Sequence, residues 1–203
     1  MDLYGYLKFA EVKNNEPLAS RMRPKTLDEI IGQKHIIGKG KLLYRAIKAD
    51  SIGSIILYGP PGTGKTTIAQ VIANTTKSDF HQINATTAGK EEMKDIVKKA
   101  KDEKAMYGKK TILFVDEIHR FNKMQQDYLL PFVEDGTITL IGATTENPFF
   151  EVNKALLSRS RLFELQLLSK EDIKDLILKA IKDKERGMGE YDVTIDEDAL
   201  NFL

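Results

Sequence analysis

Cysteine is absent from the 203-residue chain. Its absence excludes disulfides and thiolate-held zinc or iron–sulfur centres, and it fits a cytoplasmic protein. No stretch of about 18 apolar residues occurs and no signal peptide opens the chain, so a membrane span, a membrane partner and export are all unexpected. Charge of one sign is lacking too. Although 30% of residues are charged, the formal net charge is +1, so any nucleic-acid binding has to come from local patches. The three histidines, His35, His81 and His119, fall in no metal-binding spacing and read as surface or packing residues. There is no internal repeat and no low-complexity linker. At 41% hydrophobic, a chain of this length buries one good core and part of a second.

What is present is Gly59-Pro60-Pro61-Gly62-Thr63-Gly64-Lys65-Thr66, a match to G-x-x-x-x-G-K-[ST]. Ser54 to Tyr58 ahead of it read as a buried strand. From Thr66 and Thr67 onward the apolar residues recur at helical spacing, so the loop lies between a strand and a helix N-terminus. Three glycines let backbone N–H groups converge on one point, the helix dipole adds partial positive charge, and Lys65 supplies a full charge for β- and γ-phosphates. Residues 59–67 are thus the expected nucleotide cradle, with Thr66 ligating magnesium through its hydroxyl.

Residues 1–16 alternate without a firm period and read as an N-terminal arm. In Pro17 to Gln33, Thr26 is expected to cap a short helix begun by Leu27, Glu29 to complete a capping box, and Gly32 to end it. Lys41 to Lys48 carry a helical stripe. Asp79–Asn84 reads as a strand, residues 89–106 as a long polar helix, and Thr111–Glu117 as a strand buried on both faces. A helix over 122–134, a strand over 137–145, an interruption at Pro148-Phe149-Phe150, a short helix over 153–158 and a strand over 161–166 follow. Strands joined by helical crossovers imply a parallel α/β sheet, ordered 5-1-4-3-2, with helices on both faces. From Ser169 the period is helical up to Gly187, with Asp172 completing a capping box, and a further helix starts after Asp196. This gives a core over 17–168 and the start of a small helical lid over 169–203, read as a fragment of a longer protein.

Asp116 and Glu117 end a central strand, at the edge where doubly wound sheets bind ligands. Asp116 is placed to hold magnesium with Thr66, and Glu117 to polarise an attacking water; the adjacent pair favours nucleotide hydrolysis over simple phosphotransfer. Thr144 and Thr145 end the neighbouring strand, where a hydroxyl either touches the γ-phosphate or water or packs in the core. Arg159, after a short helix, is either a solvated surface residue or an arginine finger reaching a neighbour's nucleotide.

The order GPPGTGKT, LFVDE, GATT and LLSR resembles an AAA+ ATPase core, and RPKTLDEIIGQ is similar to the clamp-loader branch of that superfamily. More closely, PLASRMRPKTLDEIIGQ, FVDEIHRFNKMQQD and IGATTENPFFEVNKALLSRSRLFEL resemble the replication-associated recombination protein A family, from about Pro17 to the end. DEIHR also occurs in Holliday-junction branch-migration motors, where the ENPFFEVN insertion is not expected. The resemblance implies that Ile30, Ile31 and Gly32 border the adenine and that Asn84 couples DNA binding to the orientation of Glu117. It also implies that Thr145 is sensor 1, with Thr144 as runner-up, and that Arg159 is a finger acting in trans. Thr87, Gly89 and Lys90 would begin a helix facing DNA phosphates. The implied function is ATP hydrolysis, stimulated by DNA and weak in a fragment, at stalled replication forks and in recombination and repair. The implied partners are DNA ends, gaps or forks, proteins such as single-strand binding protein, and further copies of the chain in a tetramer. A branch-migration motor, or a clamp-loader subunit or nucleotide-gated adaptor with little turnover, is the alternative.

Overall fold

A computed structural model describes residues 16–202. The N-terminal arm expected over 1–16 lies, but for Glu16, outside the described residues. Residues 25–167 form one compact unit, and 168–202 with 16–24 form another.

In the larger unit the strands are β1 (Ile55–Tyr58), β2 (Asp79–Asn84), β3 (Thr111–Asp116), β4 (Ile138–Thr144) and β5 (Arg161–Glu164). They pair in parallel as β2-β3-β4-β1-β5, the expected order read from the opposite edge. β-Strand alternation sends Ile55, Leu57, Ile112, Phe114, Ile141 and Ala143 to one face, where they cluster with Ile68, Val71 and Ile72. Those three belong to the helix Lys65–Thr76, which follows the glycine-rich loop. Ile56, Leu113, Val115, Ile138 and Leu140 point the other way and meet Met93, Ile96, Val97 and Ala100 of the helix Lys90–Tyr107. Leu129 and Leu156, from the helices Lys123–Glu134 and Lys154–Ser158, complete that side. Both faces of the central strands are thus covered, which is why they read as continuous apolar runs.

Gly142 in β4 leaves room for what comes after β3. A Cβ there would lie 2.6 Å from Ile56 Cδ1 and 2.9 Å from Ile118 Cδ1. Ile118 is fully buried, and it anchors the turn that carries the two acids onto the sheet.

Some local expectations are corrected. Thr26 does not cap the 3₁₀ turn Leu27–Glu29; its hydroxyl donates to the Glu29 carboxylate instead, at 3.3 Å. The turn stops at Ile30, before Gly32. Pro148-Phe149-Phe150 does not interrupt but starts a short helix, Pro148–Glu151, with proline in the first turn and Asn147 as the cap. Asn122 and Gln125 form a capping box at the start of Lys123–Glu134. In the smaller unit, the Ser169–Asp172 capping box opens the helix Lys170–Lys182, which ends before Gly187. A last helix spans Glu197–Phe202.

Phe114 is fully buried in β3, paired on both sides within the sheet. Phe114→Ala is expected to cost about 3–5 kcal/mol of stability, read by urea denaturation; a loss below about 1 kcal/mol would contradict the packing described.

Candidate functional site

The register brings the carboxyl ends of the strands to one edge: Tyr58 lies opposite Thr144, and Asn84 opposite Asp116. The Gly59 N–H donates to the Thr144 carbonyl at 3.2 Å, so the glycine-rich loop starts at the tip of β4. Gly59 has φ 140°, and a Cβ there would stand 2.2 Å from the Leu165 carbonyl oxygen; no other residue fits. Gly62 and Gly64 take left-handed φ values of 75° and 95°, which turn the loop into the helix Lys65–Thr76. No side chain caps that helix, so side chains leave its first-turn amides to a ligand.

The Lys65 ammonium donates to the carbonyls of Gly59 (2.7 Å) and Pro60 (2.8 Å). Thr63 Oγ1 donates to Pro60 at 2.9 Å. Burial pulls the Lys65 ammonium below its ordinary pKa, against the opposing pull of the Glu117 and Asp116 carboxylates. The lysine and both acids therefore share one electrostatic neighbourhood. Thr66 and Thr67 lie in the helix's first turn, half-buried.

Asp116 ends β3, and its Oδ1 accepts the Glu117 N–H at 3.2 Å. Glu117 then adopts a left-handed backbone, φ 53° and ψ 44°, an uncommon conformation for a residue with a Cβ. Its Oε2 lies 3.3 Å from His119 Nδ1. Asn84 is in register with Asp116, but its side-chain oxygen accepts from the Thr86 N–H (2.8 Å) and hydroxyl (2.7 Å) and not from any group of Glu117. Thr144 is fully buried, and its hydroxyl meets His119 Nδ1 at 2.9 Å and accepts the Glu146 N–H at 3.0 Å. Thr145, the next residue, is half-buried just beyond β4.

Ile30 and Ile31 are half-buried, and Gly32 is buried with φ 76°. Arg159 follows the helix Lys154–Ser158, as expected, but it is paired with Glu134 and also donates to Ala155 (3.1 Å) and Ser158 (3.0 Å).

Two residues of this region were given no part in the site by the sequence. Gln33 is buried in a left-handed conformation, φ 52°. Its Nε2 donates to the carbonyls of Thr63 (3.3 Å) and Gln166 (2.6 Å), and its Oε1 accepts the Gln166 N–H at 3.1 Å. One amide thus braces the loop against the segment after β5. His119, read as a surface or packing residue, has a side chain only 7% exposed and stands between Thr144 and Glu117. The sequence carried a hint in its position two residues after the acids, and none in composition.

Residues 55–170 match the model of the ATPase family associated with various cellular activities. Over 188 residues the chain is 52% identical to the replication-associated recombination protein A of Escherichia coli, covering 93% of this chain and 42% of that one. It is 45% identical to the protein of that name in Bacillus subtilis, covering 93% and 44%. The Dictyostelium discoideum ATPase WRNIP1 is 42% identical across 98% of this chain and 23% of its own length. The Thermotoga maritima RuvB Holliday junction branch migration motor superposes with a TM-score of 0.69 at 31% identity, over 89% of this chain and 58% of that structure. The chain thus spans 42% of the length of the first of these relatives.

Removing the Gln33 amide strands three backbone groups. Gln33→Ala is expected to cost about 1–3 kcal/mol, read by thermal denaturation, and to weaken binding of a fluorescent ATP analogue; unchanged stability would show that the brace carries no weight.

Proposed function

The chain belongs to the ATPase family associated with various cellular activities, and we propose that it hydrolyses ATP to act on DNA at stalled replication forks and in recombination and repair. The observation that carries the chemical part is the meeting at one sheet edge of the glycine-rich loop, the Lys65 ammonium and the Asp116 and Glu117 carboxylates. The biological part rests on likeness to the replication-associated recombination proteins, at 45–52% identity. That likeness is stronger than the one to the branch-migration motor, at 31%, which makes a motor the second reading.

In the proposed mechanism the amides of residues 59–67 cradle the triphosphate, and the Lys65 ammonium leaves its two carbonyls for the β- and γ-phosphates. Ile30, Ile31 and Gly32 border the base. Thr66 and Asp116 would hold a magnesium ion, whose chemistry there is to neutralise phosphate charge. One hydroxyl and one carboxylate suit a hard ion that takes its other ligands from phosphate and water. Among the described residues no cluster of three or more His, Cys, Asp or Glu side chains exists that could hold a metal ion. Glu117 orients and deprotonates the attacking water. Thr145 is the hydroxyl assigned to the γ-phosphate, because the Thr144 hydroxyl is engaged by His119 and Glu146. Arg159 acts on a neighbouring copy's nucleotide once it leaves Glu134.

Asn84 is proposed to relay DNA contact toward Glu117. The helix Lys90–Tyr107, capped by the Gly89 backbone without a side chain, supplies the phosphate-facing end, with Thr87 and Lys90 beside it. Single-stranded ends, gaps or forks are the proposed DNA. Single-strand binding protein and a homotetramer are the proposed protein partners. Among the described residues no helix is long and apolar enough to cross a membrane.

Lys65→Ala is expected to lower affinity for a fluorescent ATP analogue by at least about a hundredfold; unchanged binding would refute the phosphate cradle. Glu117→Gln is expected to retain ATP while cutting turnover by about 10²- to 10⁴-fold, whereas an adaptor with negligible turnover would keep its function in that variant. If hydrolysis by the assembled protein were indifferent to single-stranded ends and gaps, the fork-repair reading would fall and the ATPase reading would stand.

A further inference from the structure

We propose that His119 is a positioning residue that couples the tip of β4 to the Glu117 carboxylate; this rests on the ATPase reading above. A single ring nitrogen, Nδ1, lies 2.9 Å from the Thr144 hydroxyl and 3.3 Å from Glu117 Oε2. The ring is almost entirely shielded from water, so those two partners have little competition from solvent. Thr144 is fixed from its other side, because its oxygen accepts the Glu146 N–H.

The contacts compete for one nitrogen. When Nδ1 carries a hydrogen, it donates to the Glu117 carboxylate and holds it at the strand edge. When Nδ1 is bare, its one lone pair accepts the Thr144 hydroxyl hydrogen and it has no hydrogen to give Glu117, which is then released. A small movement of the β4 tip relative to the turn after β3 decides between the two. Thr144 is the last residue of β4, and its carbonyl also receives the Gly59 N–H at the start of the loop. Its successor is Thr145, the residue assigned to the γ-phosphate. The occupancy of the phosphate cradle therefore reaches the water-orienting carboxylate through Thr144 and His119.

The backbone at Glu117 fits this role. Its left-handed φ and ψ aim the carboxylate back at the turn that holds His119. Such a conformation at a residue with a Cβ persists where its surroundings over-determine it. Buried Ile118 below and the His119 contact above are those surroundings.

The test is steady-state hydrolysis by the full, assembled chain with saturating ATP. His119→Phe preserves bulk and removes the nitrogen; His119→Asn places a carboxamide where Nδ1 stood. His119→Phe is expected to lower kcat by about ten- to a hundredfold with affinity for a fluorescent ATP analogue unchanged within about twofold, and His119→Asn to recover most of that loss. Thr144→Val is expected to lower kcat as well, without adding its loss to that of His119→Phe in the double variant. Wild-type turnover in His119→Phe, equal losses in the Phe and Asn variants, or fully additive losses would each overturn the coupling. Should His119→Phe not fold, the comparison of His119→Asn with Thr144→Val at unchanged melting temperature decides it: near-normal kcat in the first and a loss in the second support the coupling, and any other pattern overturns it. Glu117→Gln separates the two levels. Absence of hydrolysis in the wild-type chain overturns the ATPase reading and the coupling together, full turnover in Glu117→Gln overturns the role of Glu117 and with it the coupling, and inactivity of Glu117→Gln beside a normal His119→Phe overturns the coupling alone.

Discussion

The pairing of β1 with β4 is the constraint on which the site depends. Their register sets Tyr58 beside Thr144, and the next backbone group, the Gly59 N–H, is captured by the Thr144 carbonyl. The loop that follows is therefore positioned by the sheet before any of its own geometry is considered. β4 also pairs with β3 on its other side, so the loop and the acidic strand tip are held at a common edge by one intervening strand. Parallel pairing makes this possible, since all the carboxyl ends then fall on the same side.

Packing below the edge keeps it rigid. The two apolar clusters on either face of the sheet share no helix, and each is closed by large aliphatic side chains with negligible exposure. Close packing of this kind is nearly incompressible. At the edge itself directional contacts replace bulk: Glu117, His119 and Thr144 meet one another, and Gln33 holds Thr63 and Gln166.

The fold was legible from sequence because its signals are local. Runs such as Ile112-Leu113-Phe114-Val115 mark doubly covered strands, and the glycine-rich loop carries its phosphate chemistry in consecutive residues. The acids at the end of β3 were legible for the same reason. Gln33 and His119 were not, because their meaning lies in partners distant along the chain: Gln166 for one and Thr144 for the other. Periodicity reports which face of an element is apolar, and it is silent about a polar side chain buried against another element's backbone. The Thr26–Glu29 spacing erred in the opposite direction. It satisfied a capping pattern, yet the hydroxyl donates to the Glu29 carboxylate and caps no amide.

The two cations proposed to meet phosphate differ in what restrains them. Lys65 is buried, and desolvation makes its charge costly, so neutral carbonyls of its own loop satisfy it only in part. A polyanion is a better partner than either carbonyl, and the exchange favours the ligand. Arg159 faces the reverse situation. Its pair with Glu134 already joins opposite charges, but both side chains are 41% exposed, and an ion pair in such surroundings contributes about 0–1 kcal/mol. A desolvated phosphate contributed by a second copy would outcompete it, whereas water alone would not displace it decisively. On the proposed reading the lysine answers to nucleotide within its own chain, and the arginine answers to a second copy.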